Sequence, residues 1–514
     1  MEGAELKYSL GIDIGTSSAK GVLFAPGVRP VAQATAEYET LLPQPGWAQQ
    51  KPDDWWNAAV SVIRALLQKS GVAPEQIKVV SVSCQAPTVL LLDKNGTPLY
   101  DAIIWMDRRS EAECAELARL VGRERIFAIT GTRLDPYYVY PELLWVKNHV
   151  PGALEQADVL LQVNGYINYK LTGQYSLDAV HASHTQMYDV QKHCWSEELF
   201  EAIGVSPSLF PPVTECTELI GTVTAQAAAL TGLCEGTAVL SGTVDGAAAV
   251  LEAGVTGGGS AVEMTGTSTG LMIAFDEMKT SPNMAHQYSI VPGKHILYGA
   301  MSATGASYKW ARQQIFDHAG TQPNAYAAMD AEILREAPEP TDLLFLPYLQ
   351  GERSPIWDSN ARGVYLGLTL STTRAQLLRA VLEGAGFALR DNAEEAKRAG
   401  VSIQSLRSVG GCSTSELWTR IKASILNCPI DVPEQTMGAP GGLGMMMAVW
   451  LGEYESLEQA AAQCRPAAKR VEPEPRWAAY YDKQYALYHA AYGRLKPMFD
   501  DLAQLQESVS QENR

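Results

Sequence analysis

The sequence predicts an α/β protein built as two related halves. Three observations lead there. Strand-like apolar runs alternate with amphipathic helical stretches, the 514 residues exceed what one core holds, and two apolar strands break on the same Gly-Thr-Ser corner. The first corner lies in Leu10-Gly-Ile-Asp-Ile-Gly-Thr-Ser-Ser-Ala-Lys-Gly-Val-Leu-Phe24 and the second in Ala261-Val-Glu-Met-Thr-Gly-Thr-Ser-Thr-Gly-Leu-Met-Ile-Ala-Phe275.

Between the corners, Trp55 to Ser70 reads as a helix and Val79 to Ser83 as a strand. Val89 to Asp93 is a second strand that turns at Lys94-Asn-Gly96, a strong hairpin signal. Val239 to Asp245 ends a strand, and the small residues after it open a helix. The glycine-rich stretch from Gly254 to Ser260 sets the domain boundary, giving a first domain of residues 1–253 and a second of 254–495. In the second, Thr373 to Arg398 is a long helix, and Gly410-Gly411 links the strand Leu406 to Val409 to a helix from Glu416 to Asn427. A polar tail, 496–514, has no apolar stripe beyond the first turn after Asp500, and its end is expected to fray.

Composition narrows the partners. With 40 Lys and Arg against 57 Asp and Glu the net charge is −17, which repels nucleic acid and anionic membrane. Any anionic ligand must therefore be held by local geometry. No apolar run reaches the roughly 18 residues of a membrane span and no leader pattern is visible, so a cytoplasmic protein is expected. Eight scattered cysteines without a C-x-x-C pair read as reduced, mostly buried thiols, and His181 and His184 as packing or surface residues.

A glycine corner between paired strands gathers main-chain N–H groups and hydroxyls at one point, which makes a nest for phosphate. Either corner alone reads more readily as an ordinary hairpin turn. Together they suggest a polyphosphate held between the halves, and Asp13 beside the first suits a hard cation such as Mg²⁺. Asp245 at its strand end can take a proton from a substrate hydroxyl, or it can simply cap the helix that follows. Gly410 to Ser415 lets a flat ring or a phosphate approach the main chain, although it matches neither a Walker loop nor a G-x-G-x-x-G fingerprint.

In their order these segments resemble the FGGY carbohydrate kinases, sugar and polyol kinases of the actin-like, ribonuclease-H-like ATPase fold. The resemblance runs from about residue 8 to about residue 455. Its most specific part is Leu346-Pro-Tyr-Leu-Gln-Gly-Glu-Arg-Ser-Pro-Ile-Trp-Asp358, then Gly363 to Leu368, then Gln376 to Glu383. It implies two such domains with a cleft between them, ATP and Mg²⁺, and a small sugar as partner; it leaves a homodimer open. By position, Asp13 matches the metal-associated aspartate, and Thr16, Ser17 and Lys20 line the terminal phosphate. Thr267 and Gly305 resemble residues on the β-phosphate and nucleotide side, and Gly411 and Ser415 the adenosine side. Asp245 takes the place of the catalytic base, while Gln85, Trp105 and Asp107 resemble the polyol pocket.

Some positions depart from the family. Gln85-Ala86-Pro87 stands where members that phosphorylate D-xylulose show Gln-Met-His, and Gly246 follows Asp245 where xylulose and glycerol kinases carry an amide. Glu142 occupies a usual lysine position, and Arg420 and Ser424 replace Gln and Asp. The phosphate corners and Asp245 are untouched, so the changes bear on which sugar is taken. The expectation is ATP-dependent phosphorylation of a pentulose such as xylulose, with another ketose, an aldonate such as gluconate or a polyol as alternatives. From other classes, an actin-like ATPase and a sugar sensor without turnover remain rivals.

Overall fold

A computed structural model describes residues 6–317, 320, 324–464 and 467–512. Residues 1–5, which open the expected first domain, and 513–514, which close the polar tail, lie outside the described residues. The first sheet contains β1 (Tyr8–Ile14), β2 (Ser18–Ala25), β3 (Arg29–Glu37), β4 (Ile77–Cys84), β5 (Leu219–Thr222) and β6 (Ala238–Leu240), in the order β5-β6-β4-β1-β2-β3, with β7 (Thr243–Val244) also beside β4. The second contains β8 (Ser260–Thr265), β9 (Thr269–Phe275), β10 (Ala285–Tyr288), β11 (His295–Met301), β12 (Ser405–Val409), β13 (Ile430–Pro433) and β14 (Ala467–Val471). Its order is β10-β11-β9-β8-β12-β13-β14.

Both sheets repeat one plan. From β3 inwards the pairings run antiparallel, antiparallel, parallel, parallel, antiparallel, and from β11 inwards they run the same way. The two corners are thus the same hairpin in two copies of one topology, β1 to β2 and β8 to β9.

Helix α1 (Pro52–Ser70) covers one face of the first sheet, where Gly21 admits it: a Cβ there would lie 2.3 Å from Val62 Cγ1. Between β4 and β5 comes an accessory region of short strands and helices, among them α2 (Ala179–His184). On the other face of the sheet sit α3 (Asp245–Glu252) and α7 (Ala439–Trp450), whose Leu443, Met445 and Met446 share a core with Val22, Phe24 and Val79. The later residues Val250 and Ala253 pack instead with Val262, Met272 and Ile296 of the second sheet. α3 therefore joins the halves, lying under both. Glycine makes the crossing close, since a Cβ at Gly442 would stand 1.9 Å from the Ala248 carbonyl oxygen. The Glu252 carboxylate accepts the Met437 and Gly438 N–H groups at 2.7 and 2.9 Å, just before α7 begins.

In the second half α4 (Thr304–Ala311) is a further helix, while α5 (Arg374–Arg398) and α6 (Glu416–Leu426) follow the sequence reading, with Thr373 capping α5 and Asn427 closing α6 in the left-handed region. The segment expected to fray continues as α8 (Pro475–Glu512) to the last described residue. The eight thiols are free, but only Cys84, Cys114 and Cys216 are buried, and Cys194 is exposed, so the expectation of mostly buried thiols is corrected. His181 is fully buried, and His184 keeps its proton affinity low, near a pKa of about 4, chiefly through burial.

Candidate active site

At the first corner the Gly15 N–H donates to the Ser18 carbonyl at 3.1 Å, which closes the turn. Register places Asp13 opposite Lys20 on β2 and beside Ser83 on β4. The Ser83 hydroxyl donates to Asp13 Oδ1 at 2.8 Å. Burial nevertheless raises the Asp13 carboxyl above its usual range, against the pull of Ser83 and Lys20. Ser17 and Lys20 are exposed at the rim.

β7 runs parallel to β4 with Val244 opposite Cys84, so the residues that follow, Asp245 and Gln85, leave adjacent strand ends together. Asp245 is the first residue of α3, which has no side-chain cap. Its Oδ1 accepts the N–H of its own neighbour Gly246, a first-turn donor of α3, at 2.5 Å. Burial and then the nearby Asp13 push its pKa up to about 7, opposed by the Gly246 N–H. Two carboxyl groups that disfavour each other's charge mark the place where strand ends and corner meet.

The first corner is also wired to the expected sugar pocket. The Trp105 indole N–H donates to Thr16 Oγ1 at 3.0 Å, and the Thr16 carbonyl accepts the Gln50 side-chain amide at 2.7 Å. Gln85 donates to Gln50 Oε1 at 2.6 Å, while its own Oε1, though buried, has no partner among the described residues. Trp105 is 42% exposed and so has a free ring face. Asp107 departs from the expectation of a sugar contact. It is fully buried, its Oδ1 accepts the Arg109 N–H and Nε at 2.7 and 2.9 Å, and its Oδ2 accepts from Ala48 N and Arg109 Nη2. With both oxygens occupied it holds the Trp105 loop rather than facing a ligand.

The second corner is assembled by close packing. Its turn closes with Gly266 N–H to the Ser268 carbonyl at 2.9 Å, and Thr267 is exposed, its carbonyl accepting Ala306 N–H at 2.8 Å. Gly305 is buried beneath it, where a Cβ would lie 1.7 Å from the Gly266 oxygen, and Gly410, with φ +94°, would place a Cβ 2.6 Å from the Thr265 oxygen. Gly411 is exposed, while Ser415 spends its hydroxyl accepting Trp418 N–H at 3.1 Å and donating to Asp330 at 2.7 Å. A cavity of about 390 Å³ opens beside Gly410, lined also by Ser413, Thr414, Val432 and Lys469. Behind the corner Glu263 accepts from Thr265, Ser408 and Lys422, a buried ion pair.

Sequence reasoning missed several groups around Asp245. The Tyr38 hydroxyl bonds the Gly15 carbonyl, and burial together with Asp13 and Asp245 raises its pKa. Tyr298, on β11, is likewise raised by burial; Arg353, from the Glu-Arg-Ser-Pro stretch, bonds its hydroxyl and favours the ionised form, and Asp245 opposes it. Arg353 lay within a quoted motif, whereas the tyrosines carry no local pattern that would single them out.

Models of the FGGY family of carbohydrate kinases match this chain over residues 8–252 for the N-terminal domain and 261–451 for the C-terminal domain. The chain belongs to the FGGY family of carbohydrate kinases. It is a sugar kinase, with ATP as phosphoryl donor. Xylulose kinase of Bacillus subtilis (strain 168) is 29% identical over 96% of this chain and 98% of its own length. The crystal structure of xylulose kinase from Rhodospirillum rubrum superposes with a TM-score of 0.90 at 30% identity, covering 96% of this chain and all of that one. Gluconate kinase from Lactobacillus acidophilus superposes with a TM-score of 0.89 at 26% identity over 97% of this chain and 100% of its own. No described helix of this FGGY protein is long and apolar enough to cross a membrane.

Proposed function

We propose that the chain transfers the γ-phosphoryl group of ATP to a hydroxyl of a pentulose, xylulose before others, with Asp245 as the base. One observation carries this reading: a recessed carboxyl held near pKa 7, beside Gln85 at the end of the adjoining strand. Asp245 orients the sugar hydroxyl and takes its proton as the oxygen–phosphorus bond forms. Gln85 presents its unpartnered oxygen to another hydroxyl, and the exposed face of Trp105 packs on sugar C–H groups. Thr16, Ser17 and Lys20 from the first corner and Thr267 from the second hold the terminal phosphates. The cavity beside Gly410 takes the adenosine, its volume lying within the roughly 300–1,000 Å³ of small-molecule sites.

The donor set fits Mg²⁺. Asp13 accepts one hydrogen bond from Ser83 and is burdened by burial, so it would serve as the protein's carboxylate for a hard cation. Bound there, the ion neutralises charge on the phosphates. Closure of the cleft excludes water as a competing acceptor.

The reading is tested by ATP turnover against a panel of ketoses, aldonates and polyols, with the phosphorylated position found by NMR. Xylulose is expected to give the highest kcat/KM. Preference for gluconate would move the assignment to an aldonate, and phosphate release unaffected by any sugar would reject it.

A further inference from the structure

A fully buried polar chain links the two strands that end at Gln85 and at the proposed base Asp245, and is used by none of the steps above. Cys84 Sγ stands 3.4 Å from His181 Nε2, and His181 Nδ1 stands 2.5 Å from Asp178 Oδ2. All three residues are sealed from solvent. Asp178 Oδ1 accepts the Thr243 hydroxyl at 3.4 Å, and its Oδ2 accepts the Asn164 side-chain amide at 3.1 Å. Asn164 also donates its backbone N–H to Cys84 Sγ at 3.2 Å. Burial alone would push the Asp178 carboxyl up, yet the His181 imidazole and these donors hold it below its usual range. The Cys84 thiol is raised far above its own by burial, so it acts here as a neutral packing and hydrogen-bonding group rather than a nucleophile.

The chain reaches two strands at once. His181 touches Cys84, the last residue of β4, immediately before Gln85. Asp178 touches Thr243 of β7, two residues before Asp245. β4 and β7 are parallel neighbours, and β7 is only two residues long, too short to fix its own register firmly. α2, with Asp178 as its N-cap, braces them from the side.

We infer that His181, together with Asp178, is a positioning residue that clamps β4 to β7 and so sets the distance from the sugar-binding Gln85 to the proposed base Asp245. This rests on the reading of Asp245 as base. Misplacing reacting groups by about 1 Å costs on the order of a hundredfold in rate, so a clamp at this point acts on sugar turnover far more than on the second corner and the cavity beside Gly410, where most of the nucleotide is held.

The test compares His181→Leu, which severs both arms, with His181→Gln, which can restore one hydrogen bond. His181→Leu is expected to lower kcat/KM for the sugar by about a hundredfold while nucleotide affinity, from direct titration, stays within about twofold. His181→Gln should recover about tenfold of the loss. A folded His181→Leu with wild-type sugar kinetics, or one that weakens nucleotide as much as sugar turnover, overturns the clamp. Should His181→Leu fail to fold, Cys84→Ala and Thr243→Val each cut one arm, and both must lower sugar kcat/KM, with the double variant less than additive; fully additive or absent effects overturn it. Wild-type protein inert towards every sugar would defeat the base assignment and the clamp together, whereas active wild type with an indifferent His181→Leu defeats only the clamp.

Discussion

The two Gly-Thr-Ser corners share a hairpin and a sheet plan but are built to different ends. At the first, Asp13 and Lys20 face each other across the hairpin and Asp245 lies close enough to raise its own proton affinity. At the second, Met264 stands two residues before the corner glycine, where the first corner has Asp13, and the charges sit behind it as the buried Glu263 and Lys422 pair. The first corner also bonds to Trp105 and Gln50, which lead to the sugar side, whereas the second is squeezed between Gly305 and Gly410. One repeated element thus gathers charge at the first corner and close glycine packing at the second, which suits the first to the proposed chemistry and the second to the proposed phosphate cradle.

Removing the acid beside the first corner should break this contrast most. Asp245→Asn is expected to lower kcat by about a thousandfold in a coupled ATP assay while nucleotide still binds. The base must be ionised to act and burial holds it near 7, so wild-type kcat/KM should fall as pH drops below about 7. A flat profile from pH 5 to 8 would remove Asp245 as the titrating base.

Next comes the cradle. A methyl at Gly305 must push the Gly266 carbonyl away, so Gly305→Ala should raise the KM for ATP, and cost about a hundredfold in kcat/KM, without changing sugar affinity. An equal loss for sugar would mean that the corners are not separable. Lys422→Met leaves Glu263 buried without its cation and should destabilise the fold by about 3–5 kcal/mol in denaturant titrations. A variant as stable as wild type would show that the pair does not support the second corner.

The smallest effect sharpens the wiring of the first corner. The Trp105 to Thr16 bond is half in solvent, so Trp105→Phe and Thr16→Val should each cost about threefold to tenfold in sugar kcat/KM. Their double variant should fall short of the product. Full additivity would disconnect Trp105 from the corner.

Much of this was legible in the sequence because short-range chemistry announces itself. The corners, the Asp93 to Gly96 turn and the long helix that begins at Thr373 depend on residues near in sequence, and each lies where the pattern places it. Asp107 misled because its pattern resembled a sugar pocket, while its partner Arg109, two residues on, takes both of its oxygens. Tyr38, Tyr298 and the Asp178 to Cys84 chain were silent for the opposite reason. Their meaning comes from contacts between segments tens to hundreds of residues apart, which no local spacing encodes. The packing of α7 on the first sheet is of the same kind, an apolar helix whose sequence does not say which half it will cover.

Glu252 gives α3 a mechanical character. Its carboxylate grips the start of α7 at one end of an eight-residue rod, and the rod's other end is Asp245 itself. At about 1.5 Å per residue the rod is roughly 12 Å long, so tilting it by about 10° swings its tip by about 2 Å. Under the proposed closure of the cleft, a tilt of this rod re-aims the proposed base Asp245, and the angle between the lobes becomes a safety catch on the reaction.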